Sequence, residues 1–175
     1  FPSVATNKYY KSLLHPIIIL YQLIIKVLMK ITSSNYEGRI INNADNSFDE
    51  LWKVTRTHVN NTNVRTSEVL NWYCSNNGVQ KNIILGCYHN KKLLAYMLCT
   101  REYEVKLKRI TVVDVWGYLD GDQVIKSLLH RLLKYGTEND YDLVLMPAFH
   151  KKINIYCKKY IIHRSSPPMR FKAKK

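Results

Sequence analysis

The clearest pattern of apolar and polar positions runs from Asp122 to Tyr135. Val124, Ile125, Leu128, Leu129, Leu132 and Leu133 recur along one helical face, and Gln123, Lys126, Ser127, His130, Arg131 and Lys134 occupy the other. Such a helix must bury its stripe against a sheet, and the flanking segments supply the strands. Asn82 to Tyr88 and Leu93 to Thr100 read as a hairpin around the turn His89 to Lys92, where asparagine tolerates positive φ. Alternation is imperfect in both arms, which predicts burial on both faces. Leu107 to Val115, the helix, and Asp142 to Met146 then form a βαβ unit. Its right-handed crossover sets the helix N-terminus at the C-terminal end of the first strand, which is the ligand end.

Upstream, Ser47 followed three residues later by Glu50 is a capping-box signature for a helix to about His58, with Phe48, Leu51, Trp52 and Thr55 inward. A second helix from about Thr66 to Asn76 is expected to bury Val69, Leu70 and Tyr73 and to end near Gly78. Ser33 to Asn46 is polar and reads as a linker with a short strand around Arg39 to Ile41. The division expected is therefore an apolar helix and linker over 1–46 and a folded domain over 47–175. After Pro147 the pattern predicts a basic helix from about Phe149 to Lys159, then terminal strands at Tyr160 to His163 and Met169 to Lys172.

Lys8 to Lys30 is the most apolar stretch, interrupted by His15, Pro16, Gln22 and Lys26. It falls short of the ~18 uninterrupted apolar residues a membrane span needs, so no span is expected. His15, Gln22, Lys26 and Lys30 fall on one narrow polar stripe of a helix, which favours a helix packed between this domain and something upstream over one lying in a membrane interface.

Composition changes this picture little. The 175 residues and 46% apolar content suit one domain with an ordinary core. A net charge of +14 points to an anionic partner, although many lysines come in pairs that a solvated surface already explains. Cys74, Cys87, Cys99 and Cys157 lack CxxC spacing and a nearby histidine pair, so neither a zinc site nor a disulfide framework is indicated, and a cytoplasmic location fits. The chain starts at Phe1 with no signal-peptide pattern, and it reads as part of a longer protein.

From about Phe48 to Lys172 the order of elements resembles the GNAT superfamily of N-acetyltransferases, in particular a branch found in polysaccharide-biosynthesis loci. Phe48, Asp49, Leu51 and Trp52 match that branch's first helix. Arg65, Leu70, Trp72 and Tyr73 match its Arg-x4-Leu-x-Trp pattern, and Asp114 within VVDV and the Leu128–Leu129 pair agree as well. The resemblance implies an α/β (α+β) fold, a mixed and mostly antiparallel sheet flanked by helices, preceded here by the apolar linker helix. It also implies a second, N-terminal domain outside this chain.

The same resemblance implies a donor, acetyl-CoA or another acyl-CoA, whose pantetheine arm lies between Leu107–Val115 and Asp142–Met146. Its pyrophosphate would rest on the helix N-terminus, where unpaired N–H groups and the helix dipole favour an anion. Val113, Val115, Trp116, Gly117, Gly121, Asp122 and Gln123 would line that site. Matched to the pyrophosphate signature Arg/Gln-x-x-Gly-x-Gly/Ala, the loop supplies only Gly121, with Asp120 in the arginine position and Gln123 and Ile125 in the glycine positions. The usual Tyr-x3-Gly-Phe becomes Tyr156-x3-Tyr160-Ile161, keeping the tyrosine that donates a proton in many members.

Tyr156 is thus either the general acid or a packing residue. Asp114 either acts as a base or orients the acceptor amine, or else it caps the loop or pairs with Arg109 or Lys126. Arg65 and Trp72 read as a helix-end ion pair and core packing, and His150 and His163 as surface residues. Three functions stay open: an acyl-CoA-dependent N-acyltransferase acting on a small-molecule amine such as a phosphorylated amino sugar or sugar nucleotide, an aminoacyl-tRNA-dependent transferase of the peptidoglycan type, and a non-catalytic accessory domain.

Overall fold

A computed structural model describes residues 35–58, 62–75, 81–104, 107–146 and 151–160. Among the described residues five strands form one sheet in the order β1-β2-β3-β4-β5: β1 (Glu37–Ile41), β2 (Lys81–His89), β3 (Lys92–Glu104), β4 (Leu107–Gly117) and β5 (Leu143–Leu145). All neighbours are antiparallel except β4 and β5, which are parallel and joined through a helix. Helices α1 (Asn46–Thr55) and α2 (Ser67–Ser75) cover one face, and α3 (Asp122–Glu138) and α4 (Lys151–Tyr160) cover the other. This is the mixed, mostly antiparallel sheet flanked by helices that the resemblance implies.

Both faces of the sheet are buried, which is why the strands alternate imperfectly. In β2, Ile83, Leu85 and Cys87 join the core under α3, while Ile84 turns to the core under α1 and α2. Val124, Ile125, Leu128, Leu129 and Leu132 of α3 are all within the first core. At roughly 1.5–3 kcal/mol for each large apolar side chain removed from water, that stripe anchors the sheet.

Several elements differ from the sequence reading. The short strand expected around Arg39 to Ile41 is present but starts earlier and is no linker: Glu37–Ile41 pairs along its whole length with Ile84 to Tyr88 and forms an edge of the sheet. Its Gly38 lies so close beneath α3 that a Cβ there would stand 2.7 Å from the Arg131 Cβ. Asp45, not Ser47, caps α1: Asp45 has extended backbone angles and its carboxylate accepts from the Ser47 amide at 3.0 Å, while Ser47 is already helical. The inward residues Phe48, Leu51, Trp52 and Thr55 are buried as expected.

On α2 only Leu70 is buried, and Trp72 and Tyr73 are exposed and stack edge to face on each other. The hairpin turn is the two-residue pair Asn90 and Lys91, both with positive φ, between the paired residues His89 and Lys92. β3 runs on to Glu104, β5 shortens to three residues, and Tyr160 ends α4 instead of opening a strand. The apolar stretch Lys8 to Lys30, Gly78, Pro147, His150, His163 and the expected strand Met169 to Lys172 lie outside the described residues. Among the described residues no helix is long and apolar enough to cross a membrane.

Candidate active site

The site is built from the way β4 leaves its neighbours. Arg109, Ile110 and Thr111 pair with Leu143, Val144 and Leu145 of β5, and among the described residues the pairing with β5 stops there. Asp142 fastens the closed end, its carboxylate accepting from the Lys108 amide at 2.8 Å and its amide donating to the Lys108 carbonyl at 2.9 Å. Immediately beyond, the register with β3 slips: Leu98 faces Asp114 and Cys99 faces Val112, so Val113 is an extra, bulged residue. Val113 is 41% exposed although it sits in the middle of the sheet's longest ladder. Among the described residues, β4 from Val112 to Gly117 therefore has β3 on one side and no strand on the other, an open edge whose backbone groups are available to pair.

The open edge leads into the N-terminus of α3. Gly117 ends β4 at φ +124, where a Cβ would overlap the Leu94 carbonyl oxygen and the Ala95 backbone, so only glycine fits. The Tyr118 amide then donates to Leu94 O at 2.9 Å and turns the chain toward α3. Gly121 stands in the cap position and offers no side-chain cap to the helix's first amides. Asp122 is exposed in the first turn. Gln123 is half-buried, and its side-chain oxygen is buried without a partner.

A feature missing from the sequence reading offsets the two acids of this loop. Lys152 of α4 donates to the Asp120 carbonyl at 2.6 Å and lies 3.6 Å from its carboxylate, so a cation is held where the expected arginine is absent. Lys126, one turn into α3, sits 5.8 Å from the centre of the Tyr156 ring. Tyr156 itself is half-buried against the α3/α4 core.

Asp114 belongs to the opposite face. Its carboxylate accepts two hydrogen bonds from Arg65, Nε to Oδ2 at 2.7 Å and Nη2 to Oδ1 at 3.0 Å, and both side chains are largely buried. The partner is thus Arg65, 49 residues away, and not Arg109, which pairs with Glu102, or Lys126. Arg65 also donates to Thr62 and to the Asn63 carbonyl, and its guanidinium lies 4.1 Å from the centre of the Trp116 indole. Burial pulls the Arg65 guanidinium's proton affinity down, the Asp114 hydrogen bonds and charge more than offset that, and the net direction is upward.

Trp116 donates to the Thr55 hydroxyl at 2.7 Å and packs at 5.4 Å against Trp52, locking the end of β4 onto α1. Beside this network the Tyr96 hydroxyl is buried with no partner, and burial first and the Asp114 charge second push its ionisation far up. Trp72, expected to pack in the core, is 60% exposed and takes no part.

The sheet thus separates the two residues read as catalytic. Val113, Gly117, Gly121, Asp122 and Gln123 follow one another along the open edge and the helix start. Val115 points into the α3/α4 core, and Trp116 is part of the Arg65 network. What the arrangement offers chemically is a strand edge able to pair with an extended ligand, aimed at uncapped helix amides that favour an anion.

No protein-family model matches the sequence, and no curated protein sequence does so either. Solved structures do match in fold. An aminoglycoside acetyltransferase from an uncultured soil metagenomic sample, in complex with sisomicin, superposes with a TM-score of 0.58 at 11% identity, covering 81% of this chain and 97% of that one. A ribosomal-protein-alanine N-acetyltransferase from Brucella melitensis biovar Abortus gives 0.55 at 12% identity over 78% and 99%. A predicted acetyltransferase from Clostridium acetobutylicum, solved with acetyl-CoA, gives 0.53 at 14% identity over 78% and 96%. The chain shares the GNAT-like α/β fold of these acetyltransferases.

Proposed function

We propose that this protein is an N-acyltransferase that moves an acyl group from acyl-CoA to the amine of a small molecule. The observation that carries the reading is the break in β4–β5 pairing after Thr111 and Leu145, with the Val113 bulge and the open edge running into the uncapped start of α3. The residues fit such a donor. The free backbone groups from Val112 to Gly117 would take the pantetheine amides, Gly117 and Gly121 leave the approach clear, and the first amides of α3 with Lys152 would hold the pyrophosphate. When bound, acyl-CoA would supply a thioester carbonyl activated toward amines, with coenzyme A leaving as the thiol.

The chain's own groups position and move protons. Tyr156, on the α4 side, is the proposed proton donor to the departing thiolate. Asp114, neutralised by Arg65, serves to hold β4 in its bulged course and does not act as the base. The acceptor we favour is an amino sugar or sugar nucleotide, as in the polysaccharide-biosynthesis branch. Support comes from the fold neighbour that binds sisomicin, an aminoglycoside. The tRNA-dependent alternative is disfavoured because the exposed aromatic pair Trp72 and Tyr73 lies on α2, which carries no Lys or Arg to meet a phosphate backbone.

Isothermal titration with acetyl-CoA, followed by thiol release in the presence of amino-sugar acceptors, tests the reading. Saturable binding and acceptor-dependent release are expected. Absence of acetyl-CoA binding to the full chain removes it.

A further inference from the structure

A second concave site lies where α1, the β2–β3 turn and Tyr118 meet, and the acyl-transfer reading does not use it. It is a half-open groove of about 560 Å³, within the range of roughly 300–1,000 Å³ typical of small-molecule sites. Part of its lining is apolar: Leu51 and Leu93 are buried, and Val54 and Tyr118 stand exposed beside them. The rest is basic, with Lys53, Lys91 and Lys92 against the single carboxylate of Glu50.

None of these three lysines is in an ion pair among the described residues, whereas Arg39, Arg131, Lys134 and Lys152 all have carboxylate partners. The backbone adds a second observation. Asn90 and Lys91 stand at φ 48 and 64, the two central residues of a tight hairpin turn in which the second position favours glycine. A lysine there sits in a backbone conformation that L side chains avoid, which is understandable where the ammonium group has something to bind.

We propose that this cavity binds a nucleoside diphosphate, with the two phosphates among Lys53, Lys91 and Lys92 and the base against Tyr118 and Val54. Three mobile ammonium groups suit a compact polyanion. A bare phosphate would leave the apolar lining wet, and a planar ring on Tyr118 covers it. The site is distinct from the open edge of β4 and stands whether or not acyl-CoA is the donor.

The test is isothermal titration of the full chain with uridine diphosphate, in the presence of saturating coenzyme A, beside a titration with inorganic pyrophosphate. Uridine diphosphate is expected to bind, and to bind more tightly than pyrophosphate. Lys91→Gly should weaken it about tenfold, the equivalent of one lost ionic contact, while raising the melting temperature because the turn relaxes. Loss of binding in that variant then cannot be loss of fold. Tyr118→Ala should weaken uridine diphosphate and leave pyrophosphate unchanged. The proposal is overturned if the wild-type protein does not bind uridine diphosphate, if Lys91→Gly binds it equally well, if pyrophosphate binds as tightly, or if coenzyme A displaces it. Failure of coenzyme A to bind bears on the donor reading alone, since the nucleotide titration still reports on this cavity.

Discussion

The two faces of the sheet are built on different principles. Under α3 and α4 the core is largely apolar: Leu128, Leu129, Ile110, Met97 and their neighbours fill it, and the buried Ser127 hydroxyl donates to the Tyr36 carbonyl at its margin. Under α1 and α2 the core is smaller, and its edge is a polar and aromatic network of Arg65, Asp114, Trp116, Thr55 and Tyr96. The first face stabilises the fold through buried area, which is non-directional. The second fixes direction, because hydrogen bonds and a bidentate ion pair hold β4 in one course past its bulge. Stability and positioning are thus divided between two sides of one strand.

That division can be broken most forcefully on the dry face. Leu129→Ala, at a position with no exposed surface, should cost about 3 kcal/mol through lost burial and the remaining cavity. It should nevertheless leave kcat/KM for acyl transfer within about threefold at temperatures where the variant stays folded. A chemical-denaturation midpoint and a rate measurement on the same preparation check both halves. A large loss of turnover in fully folded protein would show that the dry face also tunes the site.

Asp114→Asn reverses the pattern. Leaving Arg65 without its anion should cost about 2 kcal/mol and also lower kcat/KM at least tenfold by releasing β4 from its course. If the variant is destabilised but turns over normally, the network is purely structural.

The dry face can also be probed by pH. Burial pushes the Cys99 thiol up to about 12, whereas in an unfolded chain it ionises near ~8.5. The folded state keeps this proton longer, so its contribution to stability is complete below about pH 8.5 and is lost as pH climbs toward 12. The slope is at most about 1.4 kcal/mol per unit. Melting temperatures between pH 8.5 and 11 should fall less steeply in Cys99→Ala, and equal slopes would rule the thiol out as the cause.

What could be read from the sequence follows the same divide. The α3 stripe, the inward face of α1 and the βαβ order were legible because each rests on local periodicity. The bulge at Val113 and the Arg65–Asp114 pair were not, since strand register and a contact across 49 residues are set only when the sheet assembles. Periodicity likewise misplaced Tyr73, because Leu70 is the buried apolar residue of α2 and the helix is otherwise fastened by hydrogen bonds of Ser67 to Asp49 and of Asn71 to the Ala44 backbone. Asp45 displaced Ser47 as the cap because its extended backbone, not its residue type, decides which side chain can reach the first amides. Lys152 entered the site from α4, 32 residues beyond Asp120, and no motif spacing signals such a contact.

The central claim is that the open half of β4 receives the donor. Amide hydrogen exchange, followed residue by residue with and without acetyl-CoA, tests it most directly. The account predicts slowed exchange between Val112 and Gly117 and at the start of α3 on binding, with Arg109 to Thr111, already paired to β5, unchanged. Binding of acetyl-CoA with no added protection along Val112 to Gly117 would contradict it.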